Sequence, residues 1–118
     1  MIRIIGTDQP VFILEGRQSA YIFRVLVTGH LEHLYYGGKL RVERESDLDP
    51  LIPKRAFAPG NTILYDNTRP DFSLESTCLE WTSPGKGDPR EPMIELVDAR
   101  GNRSADWVYE SCELQKGK

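Results

Sequence analysis

The alternation of side chains along residues 19–27 constrains the fold more than any other feature of the sequence. Tyr21, Phe23 and Val25 fall on one face of an extended chain, and Arg24 falls on the opposite face. Aromatic and β-branched residues dominate the run, as they do on the pleated surface of a sheet. The run therefore predicts a β-strand.

Most of the remaining apolar runs are also short and typical of strands. Thr28, Gly29 and His30 form a turn after the first run, so that run and the next one predict an antiparallel hairpin. The sequence shows no alternation of strands with helices, so a parallel sheet is not expected. We therefore predict an all-β fold class, an antiparallel β-sandwich. The further strands are expected at residues 11–14, 31–36, 72–81, 93–98 and 105–114.

Residues 41–70 differ from the rest of the chain. Proline removes a donor from a strand ladder, and four prolines fall in this segment: Pro50, Pro53, Pro59 and Pro70. The segment is therefore predicted to be a long irregular loop, with at most a short strand at residues 63–65. Loops of this length inside a compact domain are usually functional or disordered.

Composition excludes several classes of function. The 118 residues carry a formal net charge of −3, and no basic cluster suggests binding to nucleic acid or to a membrane surface. The first residues lack the apolar stretch of a signal peptide, so a cytoplasmic location is expected. Cys78 and Cys112 are expected to be buried or half-buried free thiols rather than a disulfide.

Few residues suggest chemistry on their own. His30 and His33 could suggest a metal site, but residues three apart on a strand point to opposite faces. No cofactor is therefore expected. Acidic residues at positions 47, 49, 75 and 80 could suggest a glycosidase pair, although nothing in the sequence brings them together, and solvated surface acids are the simpler interpretation.

Two proline-stiffened loops, residues 54–59 and residues 87–92, are more informative. Each places an arginine beside an aromatic or acidic residue. A rigid loop can hold a guanidinium where sugar hydroxyls need paired hydrogen bonds. The alternative is a surface turn closed by an intramolecular salt bridge, a common and weak arrangement.

Five short motifs, taken in order, resemble the N-terminal region of bacterial family 36 α-galactosidases. Each motif alone is weakly specific, but the ordered set is specific, and the similarity extends from about Phe12 to Leu114, nearly the whole chain. The motifs are GHLEHLYYG at residues 29–37, RAFAP at 55–59, FSLE at 72–75, LEW at 79–81 and GDPREP at 87–92.

The resemblance implies an architecture larger than this chain. In that family an N-terminal β-supersandwich precedes a (β/α)₈ barrel, which carries two catalytic aspartates for a retaining mechanism. Neither barrel motif occurs in these 118 residues. Residues 1–118 are therefore expected to form the first part of the supersandwich, with residues 41–70 as a loop within it, and to be inactive alone.

The resemblance also implies a binding role for N-terminal loops. Family members form tetramers in which an acid and an arginine from these loops line a neighbouring subunit's sugar pocket. Lys54 stands where the family has the acid, and Arg69 is the best match for the arginine. The substrate-binding residues expected from the resemblance are Arg55, Phe57, Arg69, Asp88 and Arg90.

These observations predict the N-terminal, non-catalytic part of an enzyme that hydrolyses terminal α-galactosyl groups of oligosaccharides such as melibiose and raffinose. Its expected partners are the galactoside, a downstream catalytic barrel and further copies of the chain: a tetramer for the longer protein, and a dimer or more for this part. The alternative is a stand-alone carbohydrate-binding or protein-interaction sandwich. A reading frame that continues into a barrel would distinguish the two.

Overall fold

A computed structural model describes residues 1–54 and 63–117. The chain divides into two compact units. Unit 1 comprises Met1–Pro53 and Val108–Lys118, and unit 2 comprises Lys54–Trp107. Arg55 and Phe57, two of the predicted substrate-binding residues, lie outside the described residues.

Unit 1 contains a four-stranded antiparallel sheet in which each strand pairs with the next one along the chain. The all-β, antiparallel fold class is thus confirmed, and the predicted hairpin is its β3–β4 pair. The first strand was not anticipated from the sequence. The strands are β1 (Ile2–Ile5), β2 (Val11–Glu15), β3 (Ser19–Val25) and β4 (Leu31–Gly38).

The turn between β3 and β4 depends on a glycine, as the sequence predicted. Gly29 has a φ of 90°, in the left-handed region that side chains disfavour, and its N–H donates to the Leu26 carbonyl at 2.8 Å. A Cβ at this position would lie only 3.1 Å from the Cβ of Val108. Both the backbone conformation and the available space therefore favour glycine.

The β3–β4 pairing is interrupted by a bulge. Ile22 pairs with Tyr35 whereas the next residue, Phe23, pairs with His33, so Leu34 is an extra residue in β4. A bulge of this kind increases the local twist and changes which face the following side chains occupy.

The core of unit 1 lies on one face of the sheet. Val11, Ile13 and Ile22 pack there against Val42 and Leu48, which follow β4. Leu48 belongs to a 3₁₀ helix, Glu45–Leu51, of about two turns. This helix lies within the predicted irregular loop and includes Pro50.

The opposite face of the sheet is aromatic. The rings of Phe12 and Phe23 stack with their centroids 4.9 Å apart, and Tyr109 lies 6.0 Å from Phe12. Tyr21 contacts the ring of His33 at 5.0 Å. Aromatic cross-strand pairs of this type stabilise a sheet beyond the apolar area that they bury.

A charged pair lies within the sheet. Arg24 and Glu32 are direct cross-strand partners, and the Arg24 Nε donates to a Glu32 carboxylate oxygen at 2.7 Å. The Glu32 side chain is only 1% exposed. Burial lowers the pKa of Arg24 from its usual value. Because the Glu32 carboxylate is removed from water, loss of the Arg24 guanidinium would be costly.

Unit 2 differs from the sequence prediction. Strands predicted at residues 72–81 and 93–98 are absent from the described part of the chain, and so is the strand predicted at 105–114, which extends into unit 1. Two single backbone hydrogen bonds occur in this last segment in place of a ladder: Ala105 N–H donates to the Pro84 carbonyl, and Tyr109 N–H donates to the Gly29 carbonyl.

Local hydrogen bonds explain why residues 72–81 do not form a strand. The Ser73 carbonyl accepts from the hydroxyls of Ser76 and Thr77, at 3.2 and 2.9 Å, and the Thr77 N–H donates to the Leu74 carbonyl. Serine and threonine side chains offer the backbone an alternative to a strand ladder, and here that alternative prevails.

Both cysteines are free, as predicted, but both are exposed rather than buried, so that part of the prediction was wrong. Cys78 follows the Ser73–Thr77 turn, in which the Thr77 hydroxyl donates to the Ser73 carbonyl. This residue therefore lies after a turn and not in the predicted strand. In the described part of the chain, no helix has the length and apolar character needed to cross a membrane.

Candidate functional site

Three of the five predicted substrate-binding residues fall within the described chain, and all three belong to unit 2. These are Arg69, Asp88 and Arg90. The structure gives the two arginines very different surroundings.

The Arg90 guanidinium donates most of its hydrogen bonds to residues of its own unit. Its Nε and one Nη donate to the two oxygens of Asp88, at 2.8 and 3.1 Å. Its Nη atoms also donate to the carbonyls of Thr77 and Leu74, both at 2.7 Å. Four of the five N–H donors of this guanidinium are therefore occupied.

Asp88 accepts hydrogen bonds from both the side chain and the backbone of Arg90. Its side chain is fully buried, and its Oδ1 also accepts the backbone N–H of Arg90 at 3.1 Å. The pair thus closes a turn by an intramolecular salt bridge and binds that turn to residues 74–77. This matches the alternative interpretation of the loop, and substrate contact by Asp88 and Arg90 stays a prediction.

Arg69 lies on a compact closed loop. Backbone hydrogen bonds run from Arg69 N–H to the Asp66 carbonyl at 3.0 Å and from Phe72 N–H to the Arg69 carbonyl at 3.2 Å. Tyr65 N–H donates to the Phe72 carbonyl at 3.4 Å and joins the two ends. We call residues 65–72 the Arg69 loop.

A side chain inside this loop stabilises its first turn. The Asp66 carboxylate accepts the backbone N–H and the hydroxyl of Thr68, at 2.8 and 2.9 Å. These hydrogen bonds lower the pKa of Asp66 from its usual value. Aspartate commonly closes turns in this way.

The Arg69 side chain has fewer partners than that of Arg90, although its charge acts on Asp66 and Tyr65 within the loop. It is partly exposed, and among residues 1–54 and 63–117 none forms a hydrogen bond or an ion pair with its guanidinium. A guanidinium in this state can donate paired hydrogen bonds to hydroxyl or carboxylate oxygens.

The base of the Arg69 loop is formed by contacts that the sequence did not predict. The Tyr65 ring meets the buried ring of Phe72 edge-on, with centroids 5.7 Å apart. The Tyr65 hydroxyl donates to Asp106, and the Lys86 ammonium lies 5.9 Å from the centre of the Tyr65 ring. Tyr65 and Asp106 are far apart along the chain, so no sequence motif could have linked them.

Burial and the contact with Asp106 raise the pKa of Tyr65 to about 12. The phenol is therefore protonated at neutral pH and acts as a hydrogen-bond donor. A phenol that donates to a carboxylate forms a charge-assisted hydrogen bond, which is stronger than a neutral one.

The other candidates from the sequence have local roles. His30 Nδ1 lies 2.8 Å from the Thr28 hydroxyl, and the His33 ring contacts Tyr21. The Asp47 carboxylate accepts the backbone N–H groups of Glu43 and Arg44, each at 2.9 Å, at the start of the 3₁₀ helix. No cluster of three or more potential metal ligands occurs in the described part of the chain.

We predict that Arg90→Ala lowers the free energy of unfolding by about 1.5–3 kcal/mol, because it removes charge-assisted hydrogen bonds and leaves a buried carboxylate without its partner. Urea denaturation of the purified chain measures the loss. Arg103→Ala is the matched control, since Arg103 pairs with Glu95 at the surface and both side chains are more than half exposed. The control should lose less than about 1 kcal/mol. We call the contacts of Arg90 with Asp88, Leu74 and Thr77 the clamp. Equal losses of stability in the two variants would contradict its stabilising role.

Comparison with known proteins places the chain in a family. The sequence model of the glycosyl hydrolase family 36 N-terminal domain matches residues 29–118. The bifunctional alpha-galactosidase/sucrose kinase AgaSK of Mediterraneibacter gnavus is 31% identical over 100% of the chain, and alpha-galactosidase AgaA of Geobacillus stearothermophilus is 30% identical over 91%. The chain spans only 12% and 14% of these relatives.

Solved structures agree with this assignment. The alpha-galactosidase of Lactobacillus brevis matches 84% of the chain with a TM-score of 0.67 and 25% identity, over 13% of its own length. The galactosidase domain of AgaSK matches 92% of the chain with a TM-score of 0.70 and 24% identity, over 15% of its own length. These likenesses confirm the predicted fold class. Because the family match covers well over half of the sequence, the chain belongs to the N-terminal domain family of family 36 glycosyl hydrolases.

Proposed function

We propose that this chain is the non-catalytic N-terminal part of a longer α-galactosidase, which removes terminal α-galactosyl groups from oligosaccharides such as melibiose and raffinose with retention of configuration. Membership of the family 36 N-terminal domain carries the proposal. The named relatives are α-galactosidases, and the chain spans about an eighth of their length. The downstream catalytic barrel then supplies the two carboxylates of the reaction.

Within this longer protein, we propose that unit 2 contributes to the sugar pocket of a neighbouring subunit. Of the described candidates, Arg69 supports this role best, because its guanidinium lies on a closed loop and has no hydrogen-bond or ion-pair partner among the described residues. Arg55 and Phe57, which lie outside the described residues, stay predictions for the same pocket. Asp88 and Arg90 stabilise unit 2 through the hydrogen bonds of Arg90 to residues 74–77.

The simplest test of the non-catalytic role uses the chain alone. The purified 118-residue protein should not release product from a chromogenic α-galactoside above background, because it lacks the barrel carboxylates. Turnover that survives repeated purification and is lost on mutation of an acid in this chain would contradict the proposal.

The binding role is tested in the longer protein with Arg69→Ala. Loss of a charge-assisted hydrogen bond costs about 1.5–3 kcal/mol, so kcat/KM should fall roughly ten- to a hundredfold, mainly through a higher KM. Steady-state kinetics with melibiose measure the change. Arg103→Ala, an exposed arginine of the same unit, is the control and should leave kcat/KM unchanged. Unchanged kinetics in the Arg69 variant would refute the contact.

We further propose that the chain self-associates, as a dimer or more alone and as a tetramer in the longer protein. Each outer strand of the sheet, β1 and β4, pairs with one strand among the described residues, and an edge strand can pair with another chain. Large apolar side chains are also exposed on residues 93–97, among them Met93, Leu96 and Val97. Sedimentation velocity at increasing concentration should show a dimer or larger species, and a purely monomeric profile would contradict this.

A further inference from the structure

We propose that Tyr65 and Asp106 are positioning residues, which together form a latch that fixes the Arg69 loop so that its guanidinium is held ready for the sugar. The inference rests on the proposed role of Arg69 in substrate binding and extends it to two residues that do not themselves touch substrate. The latch is the hydrogen bond from the Tyr65 hydroxyl to the Asp106 carboxylate.

The first argument concerns the loop itself. Its internal hydrogen bonds define its shape. Its two ends are Tyr65 and the buried Phe72, which are joined by a backbone hydrogen bond and by edge-on ring packing. Burial of Phe72 fixes one end of the loop, and a contact that fixes the Tyr65 side chain fixes the other.

The second argument concerns the partner. Asp106 follows Ala105, whose N–H donates to the Pro84 carbonyl at 3.0 Å. Two residues after Pro84, Lys86 places its ammonium over the Tyr65 ring. The Tyr65 side chain is therefore held at its hydroxyl by one segment and at its ring face by another, and these two segments are bonded to each other.

The third argument concerns the consequence for binding. A long arginine side chain loses conformational entropy when it binds a ligand, and a loop that also moves loses more. A loop fixed in advance reduces that cost and so increases affinity. Release of the latch should therefore weaken substrate binding through Arg69 without altering the chemistry in the barrel.

The loop is tested first in the 118-residue chain, by hydrogen exchange of the Arg69 and Phe72 backbone N–H groups. Tyr65→Phe removes only the hydroxyl and should speed exchange at both groups by about tenfold or more, since each factor of ten corresponds to about 1.4 kcal/mol. Asp106→Ala should speed exchange at the same two groups. Asp106→Asn retains an acceptor oxygen, so exchange in this variant should be much slower than in Asp106→Ala. Tyr36→Phe, the same change at an exposed tyrosine of unit 1, should change neither rate.

Kinetics in the longer protein test the connection to Arg69. Tyr65→Phe should raise KM for melibiose about three- to tenfold with kcat retained, because only a binding contact is loosened. In an Arg69→Ala background the same substitution should have no further effect on KM. A general loss of folded enzyme would instead lower kcat in both backgrounds, so the cycle separates positioning from instability.

Each outcome bears on a different claim. Unchanged exchange at Arg69 and Phe72 in Tyr65→Phe would overturn the latch. Faster exchange with an unchanged KM, while Arg69→Ala raises KM, would overturn the positioning role and leave the proposed function standing. An unchanged KM in Arg69→Ala would overturn the proposed binding role itself, and with it the positioning role. Only faster exchange combined with a raised KM that depends on Arg69 supports the inference.

Discussion

The hydrogen bonds of the Arg90 guanidinium are the interactions on which the structure of unit 2 depends most. This unit has no strand ladder among its described residues, so backbone groups must find partners elsewhere. Arg90 joins two segments, because it binds the buried Asp88 carboxylate of its own loop and the carbonyls of Leu74 and Thr77 in the preceding turn. Arginine is suited to this task, since its planar fork can satisfy several acceptors in fixed directions and is always charged.

Unit 1 is stabilised by different means. A regular sheet satisfies its backbone, one face buries aliphatic side chains and the other stacks aromatic rings. The charged pair of Arg24 and Glu32 is the exception, since it joins two strands by a hydrogen bond between charged side chains. The two units thus illustrate two solutions to the same requirement, ladder hydrogen bonds in one and side-chain-to-backbone hydrogen bonds in the other.

This difference explains what the sequence could predict. Strict alternation around Tyr21 and Phe23 led to the correct strands and hairpin, because a half-buried sheet imposes a period of two. Similar alternation from residue 72 onward was misleading, since Ser73 and Thr77 close a turn there. Arg69 and Asp88 were recognised through family motifs. The contact of Tyr65 with Asp106 could not be found, because no local pattern records which residues of distant segments meet.

The strand order of the sheet has a consequence for how the protein folds. Because β1, β2, β3 and β4 pair in the order of synthesis, every ladder closes a short stretch of chain, and such local contacts form fast. The contact of Tyr65 with Asp106 spans 41 residues and must wait until unit 2 is nearly complete. As the chain leaves the ribosome, the sheet can therefore assemble first and give the nascent polypeptide an ordered N-terminal body while the segments that present Arg69 are still being made.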